Sequence, residues 1–121
     1  MLVLVDTSVW LTHFRSSLPG MVALLADGDI VTHTIVLGEL SVGNLHRRAQ
    51  TLADLRALLD ARECPPHAVL DFLERNHFYG LGLSWGDVQL LAAAELNRVP
   101  LWTLDTRLRT AAETLGLAWA P

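Results

Sequence analysis

The sequence predicts an α/β protein: a mainly parallel sheet wrapped on both faces by helices. Two observations carry this. The runs LVLV at 2–5 and LWTL at 101–104 are short and largely apolar, with no clean polar face, as buried strands of a parallel sheet must be. Between them the chain alternates strand-length and helix-length segments, which implies a parallel sheet. At 121 residues, 51% of them hydrophobic, the chain is large enough for one core and too short for two, so residues 1–121 are expected to form a single domain.

Taken in order, 2–5 is the first strand and 8–15 a helix, with capping chemistry from Asp6 to Ser8. Pro19-Gly20 punctuates; 21–26 adds a helical turn or two before Asp27-Gly28. Residues 30–33 form a second strand, and Thr34 is placed to cap a helix over 35–45 that is apolar nearly all round and expected to be buried. A helix over 52–62 follows, with Leu52, Leu55 and Leu59 on one face, ended by Pro65-Pro66. Residues 69–77 and 87–97 are helices separated by the glycine-spaced loop YGLGLSWG. The third clear strand is 101–104, followed by a helix over 106–115 and a last short strand over 117–119.

Composition excludes several functions. The net charge is −4 and all nine basic residues are arginine, which argues against nonspecific coating of nucleic acid. No GxxxxGK loop is present, so P-loop nucleotide hydrolysis is ruled out. Receiver domains need a lysine that is absent, and dehalogenase-like phosphatases need an aspartate where Ser8 stands. Cys64 is the only cysteine, which excludes an internal disulfide and suits a reducing compartment. No signal peptide or membrane-length apolar run is visible, so a cytoplasmic protein is expected.

Four acids stand at element boundaries or inside apolar runs: Asp6 in LVLVDTS, Glu39 in VLGELSVG, Asp87 in LSWGDVQ and Asp105 in LWTLDTR. Desolvating a carboxylate is costly unless it is paired or binds a metal, and no arginine adjoins Asp6, Glu39 or Asp87. Asp6, Asp87 and Asp105 each also read as simple helix N-caps. Glu39 has Ile35, Val36, Val42 and Gly43 as its helical neighbours and no obviously wet side. A sheet of this class gathers sites outside the carboxyl ends of its strands. Clustered carboxylates about 4 Å apart repel by roughly 4 kcal/mol at an effective dielectric of 20, so convergence calls for a cation. Oxygen ligands select Mg2+ or Mn2+, and the five histidines show no zinc spacing.

At these residues the chain resembles the PIN-domain nucleases, most closely the VapC-like ribonuclease toxins of toxin–antitoxin pairs. The resemblance runs nearly end to end, through LVLVDTSVW, TIVLGELSVG, LGLSWGDVQLLAAAEL and LWTLDTRL. It implies a three-layer α/β/α domain and makes Asp6, Glu39, Asp87 and Asp105 an acidic quartet around one or two Mg2+ ions. Ser8 and Thr103 match small polar positions of the same site. The implied activity is endonucleolytic hydrolysis of RNA by metal-activated water, leaving a 3′ hydroxyl and a 5′ phosphate. Transfer RNA is among the substrates of such proteins. An antitoxin partner and a homodimer are implied in the same way, the antitoxin filling an apolar groove walled by helices 8–15 and 35–45 and by the 52–62 segment. The alternative is a PIN-like binding module without catalysis.

Arg47 and Arg48 form the one tight basic patch and Arg107 follows Asp105 closely, making these three the candidates for RNA phosphate contact. Trp10, Trp85, Trp102 and Trp119 are expected as core anchors, with base stacking open to Trp10 and Trp85.

Overall fold

A computed structural model describes residues 1–121. The apolar triplet of β1 (Val3–Val5) is wholly buried and leads at once into α1 (Thr7–Arg15). α2 (Pro19–Asp27) starts on a proline, whose missing N–H is no loss in a first helical turn, and ends at Gly28 with φ 68°. β2 (Ile30–Thr32), α3 (Thr34–Val42), α4 (Arg48–Arg56) and β3 (Leu59–Asp60) follow. α5 (Pro66–Asn76), α6 (Trp85–Asn97), β4 (Leu101–Trp102) and α7 (Thr106–Thr114) complete the chain.

The four strands are ordered β3-β2-β1-β4 and every pairing is parallel, so the expected class holds. Val3 stands opposite Ile30, and Val5 opposite Trp102. β1 therefore has neighbours on both edges, which is why it carries no polar alternation. The chain lays β2 and then β3 to one side of β1, then returns to place β4 on the other. Right-handed crossovers then put α1 to α4 over one face and α5 and α6 over the opposite one, giving three layers. The reversal falls between β1 and β4, where adjacent carboxyl ends open a crevice. α6 seals its face of the sheet with an unbroken buried run, Leu90 to Ala94, whose three alanines permit close approach.

Several elements differ from expectation. The helix placed over 52–62 is α4, four residues earlier, and Leu59 and Asp60 are not helical. They pair with Val31 and Thr32 as an exposed edge strand. Two residues are too few to show a strand period, so the leucine spacing read as helix. α3 ends at Val42, not 45, and only Val36 and Leu40 are buried along it; Val42 is 89% exposed. The predicted strand over 117–119 is a single bridge, Leu101 to Ala118, with the Trp119 ring tilted at 59° against Trp102, centroids 4.9 Å apart. No helix is long and apolar enough to cross a membrane.

His33, not Thr34, caps α3: its Nδ1 accepts the Ile35 N–H at 3.0 Å. Thr34 instead donates its hydroxyl to Glu63 at 2.6 Å. His33 is 2% exposed, and burial lowers its pKa from the usual 6.5, the Glu63 carboxylate opposing part of the shift. Since the folded chain favours the neutral ring, this contribution to stability is complete above about pH 6.5 and is lost as pH falls through the lower native value. Protonation also removes the lone pair that accepts from Ile35. Urea midpoints between pH 7 and 5 should fall more steeply for the parent than for His33→Asn, which keeps a capping acceptor that does not titrate in this range; parallel curves would refute the role.

Candidate active site

Asp6 follows the last residue of β1, beside the switch point between β1 and β4. It stands at the N-cap position of α1 but makes no side-chain cap bond; only its backbone carbonyl serves the helix, accepting from Val9 at 3.1 Å and Trp10 at 3.3 Å. Its carboxylate turns across the crevice. Oδ2 accepts from the Ser8 hydroxyl at 2.7 Å and from the Thr103 hydroxyl at 2.7 Å. Oδ1 has no hydrogen-bond partner in the chain. The residue is 6% exposed, and none of the chain's ion pairs involves it. This carboxylate is therefore buried without a cation, the condition under which a bound ion is most favourable.

Ser8 and Thr103 extend the arrangement. Their hydroxyls are 3.3 Å apart, the Ser8 oxygen accepts the Leu104 N–H at 3.0 Å, and the Thr103 oxygen accepts the Asp105 N–H at 3.0 Å. β1, the start of α1 and the exit from β4 are thereby tied into one network centred on Asp6. Thr103 lies just beyond β4 but remains buried.

Glu39 reaches the same end through a residue that sequence reasoning missed: the Thr7 hydroxyl donates to Glu39 Oε1 at 2.8 Å. No sequence signal joins two residues 32 apart. Glu39 is exposed on α3, so the expectation that it lacks a wet side fails, because α3 buries only a narrow stripe. Ile35, one turn earlier, lies against Gly86, where an added Cβ would stand 3.2 Å from Ile35 Cγ2, so α3 and the start of α6 meet closely.

Asp105 is the N-cap its simpler reading predicts, whereas the N-cap of α6 is Ser84 and Asp87 stands at its third helical position. Asp87 accepts the Ser84 N–H at 2.9 Å while Ser84 Oγ accepts the Asp87 N–H at 3.0 Å, a reciprocal capping box. The S-x-x-D spacing was visible in the sequence and points to Ser84, which site reasoning passed over. Asp105 caps α7, accepting from Arg107 at 2.9 Å and Leu108 at 3.2 Å. Asparagine caps a helix as well as aspartate. Asp105→Asn should therefore melt within about 2 °C of the parent while losing a negative charge; a larger drop would tie the carboxylate to stability.

The side chains thus divide. Asp6, Ser8 and Thr103 are joined directly, with Asp105 attached through its backbone. Glu39 is joined through Thr7, and Asp87 is held in its own cap. No three acidic, histidine or cysteine side chains stand close enough to enclose an ion. The donor chemistry, oxygen throughout, suits a hard divalent ion. The spacing, with Asp87 and Asp105 each holding a helix start through one oxygen, leaves Asp6 as the one buried acid of the four, its Oδ1 without a partner in the chain.

Of the candidate arginines, Arg107 lies in the first turn of α7, beside Asp105, and crosses over Gly82. Arg47 and Arg48 start α4, Arg48 donating to the Gly43 carbonyl at 3.3 Å. Trp10 and Trp102 are core residues as expected and Trp119 is half-buried, whereas Trp85 is 44% exposed at the first turn of α6. A recess of about 440 Å³ lies between α1, α2 and α4, with Phe14, Leu25 and Leu55 among its walls. α3 is not a wall of it, contrary to the expected groove. Trp10 Nε1 is buried without a hydrogen-bond partner beside this recess.

The family model described as PIN domain matches residues 3–114. Ribonuclease VapC32 of Mycobacterium tuberculosis, from strains CDC 1551 / Oshkosh and ATCC 25618 / H37Rv, is 35% identical over 120 residues, covering 98% of this chain and 97% of the relative. Among solved structures, FitAcB from Neisseria gonorrhoeae superposes with a TM-score of 0.60 at 18% identity, covering 93% of this chain and 94% of that one. PAE2754 from Pyrobaculum aerophilum gives 0.62 at 18% identity, covering 95% and 86%. At that identity these two structures speak to the fold alone.

Proposed function

Because the chain belongs to the PIN-domain family, among its VapC-like members, we propose that it is the ribonuclease toxin of a toxin–antitoxin pair. The reaction we assign is endonucleolytic hydrolysis of RNA, dependent on Mg2+ or Mn2+. The observation that carries it is Asp6: a carboxylate buried at the sheet's switch point, held on one oxygen by two hydroxyls, with no cation of the chain beside it.

When bound, the divalent ion neutralises charge on the phosphate and makes water a nucleophile near neutral pH. Asp6 would hold it through Oδ1, while Ser8 and Thr103 fix the other oxygen and so the plane of the carboxylate. Glu39, exposed and tethered only by Thr7, is free to accept a proton from water. Asp87 and Asp105 are the remaining acids of the site. Each caps its helix through one oxygen, Asp87 through Oδ2 and Asp105 through Oδ1, so the other oxygen of either could face the ion with the cap in place. Arg47 and Arg48, exposed at the start of α4, supply cations for RNA phosphates, and Arg107 adds an exposed cation for RNA beside Asp105.

The antitoxin is assigned to the apolar recess between α1, α2 and α4, and a second copy of the chain to a homodimer, following the family. The site acts in the cytoplasm in this reading.

Purified protein incubated with total RNA should produce discrete fragments in Mg2+ and none in EDTA, with Mn2+ restoring cleavage. Mg2+ should also raise the melting temperature, since it binds the native state alone. Cleavage that persists in EDTA would refute the metal dependence. Absence of cleavage with an unmoved melting temperature would favour the silent binding module instead.

A further inference from the structure

We propose that the recess along α7 is a nucleobase subsite selective for guanine, a site that rests on the ribonuclease reading and gives it sequence preference. The recess is about 290 Å³ in volume, and its lining includes Phe78, Leu81, Thr106, Arg107, Thr110 and Thr114. It begins beside Asp105, the N-cap of α7, so a nucleotide seated there adjoins the acidic edge.

Three features define what it takes. Arg107 is an exposed fork of donors without an acidic partner: it belongs to none of the chain's ion pairs, and its guanidinium makes no hydrogen bond within the chain. Its position depends on a glycine. A Cβ on Gly82 would stand 2.7 Å from Arg107 Nη1 and 3.0 Å from its Cδ, and at φ 79° Gly82 adopts a conformation that favours glycine. The threonines recur at four-residue spacing along α7. Thr110 and Thr114 donate their protons to the Thr106 and Ala111 carbonyls, at 2.9 and 2.6 Å, leaving their oxygens as acceptors beside their methyl groups. The wall is apolar: Phe78 is buried against Phe72 at 5.7 Å, and Leu81 stands exposed.

A phosphate would use the arginine but meet hydroxyl acceptors and an apolar wall that offer it nothing. A base matches all three. Guanine presents O6 and N7 as adjacent acceptors for the guanidinium fork, has N–H donors for threonine oxygens, and places a ring face against the apolar wall. Arg107 is thus a specificity-determining residue that sets which nucleotide lies beside the cleaved bond.

The test measures binding of uridine octamers carrying a single guanine, in Mg2+, to the Asp6→Asn protein so that turnover does not interfere. Replacing the guanine by 7-deazaguanine or adenine should weaken binding about ten-fold. Adding Arg107→Ala should weaken guanine binding and abolish the preference. Arg107→Lys, which keeps the charge but not the fork, should keep the salt dependence and still lose the preference. Equal affinity for all three bases, or a preference that survives Arg107→Lys, would overturn the subsite while leaving RNA binding intact. Failure to bind any of these RNAs would overturn the subsite together with the reading beneath it.

Discussion

Asp6→Asn is expected to reduce RNA cleavage by about 10²–10⁴-fold while leaving the fold in place. The substitution is nearly isosteric. The asparagine carbonyl can still accept from Ser8 and Thr103, which now donate at 2.7 Å each, so the network between β1 and β4 survives. What disappears is a negative charge buried without a cation of the chain beside it. Without divalent ions the variant should therefore be at least as stable as the parent, because a carboxylate charge with no cation beside it has been removed. With Mg2+ the order should reverse: the parent gains melting temperature by linkage and the variant does not. The two readouts separate a metal ligand from a structural carboxylate. A variant that cleaves normally, or that still gains stability from Mg2+, would remove Asp6 from the site.

Thr103→Val should be the most damaging conservative change to the same network. Thr103 is 2% exposed; its hydroxyl donates to Asp6 Oδ2 at 2.7 Å and accepts the Asp105 N–H at 3.0 Å. Valine fills the same space but leaves Asp6 with a single donor and the Asp105 amide without its partner. An unsatisfied buried polar group costs about 1–3 kcal/mol, or roughly 4 °C of melting temperature per kcal/mol at this chain length. Cleavage should fall by more than about ten-fold, since the Asp6 carboxylate is free to turn. Thr103→Ser keeps the hydroxyl and should restore most of both. A valine variant as stable and active as the parent would mean the network does not position Asp6.

Much of the fold was legible in sequence because its signals are local. VLV and LW are flanked by helix-length segments, and a parallel sheet follows from that alternation. Asp27-Gly28 marks the end of α2 by its own backbone chemistry, although α2 starts at Pro19 rather than 21 and α6 at Trp85 rather than 87. β3 was not legible, since its pairing with β2 is decided by partners nearly thirty residues away. α3 misled for a related reason: Val42 looks like a core residue by type yet lies almost fully in solvent, because no element covers that end of the helix.

The site divides along the same line. Sequence by itself determined the fold class and the family, since residue types and their order are enough for these, and it nominated the four acids. It could not separate Asp6 from Asp87 and Asp105, which all read as capping aspartates. Only the tertiary structure decided that Asp87 and Asp105 cap their helices while Asp6 turns into the crevice toward Thr103, 97 residues away. The physical reason is that a carboxylate's partner is chosen by which strands lie adjacent. Strand order is a property of the folded sheet that no local stretch of chain carries.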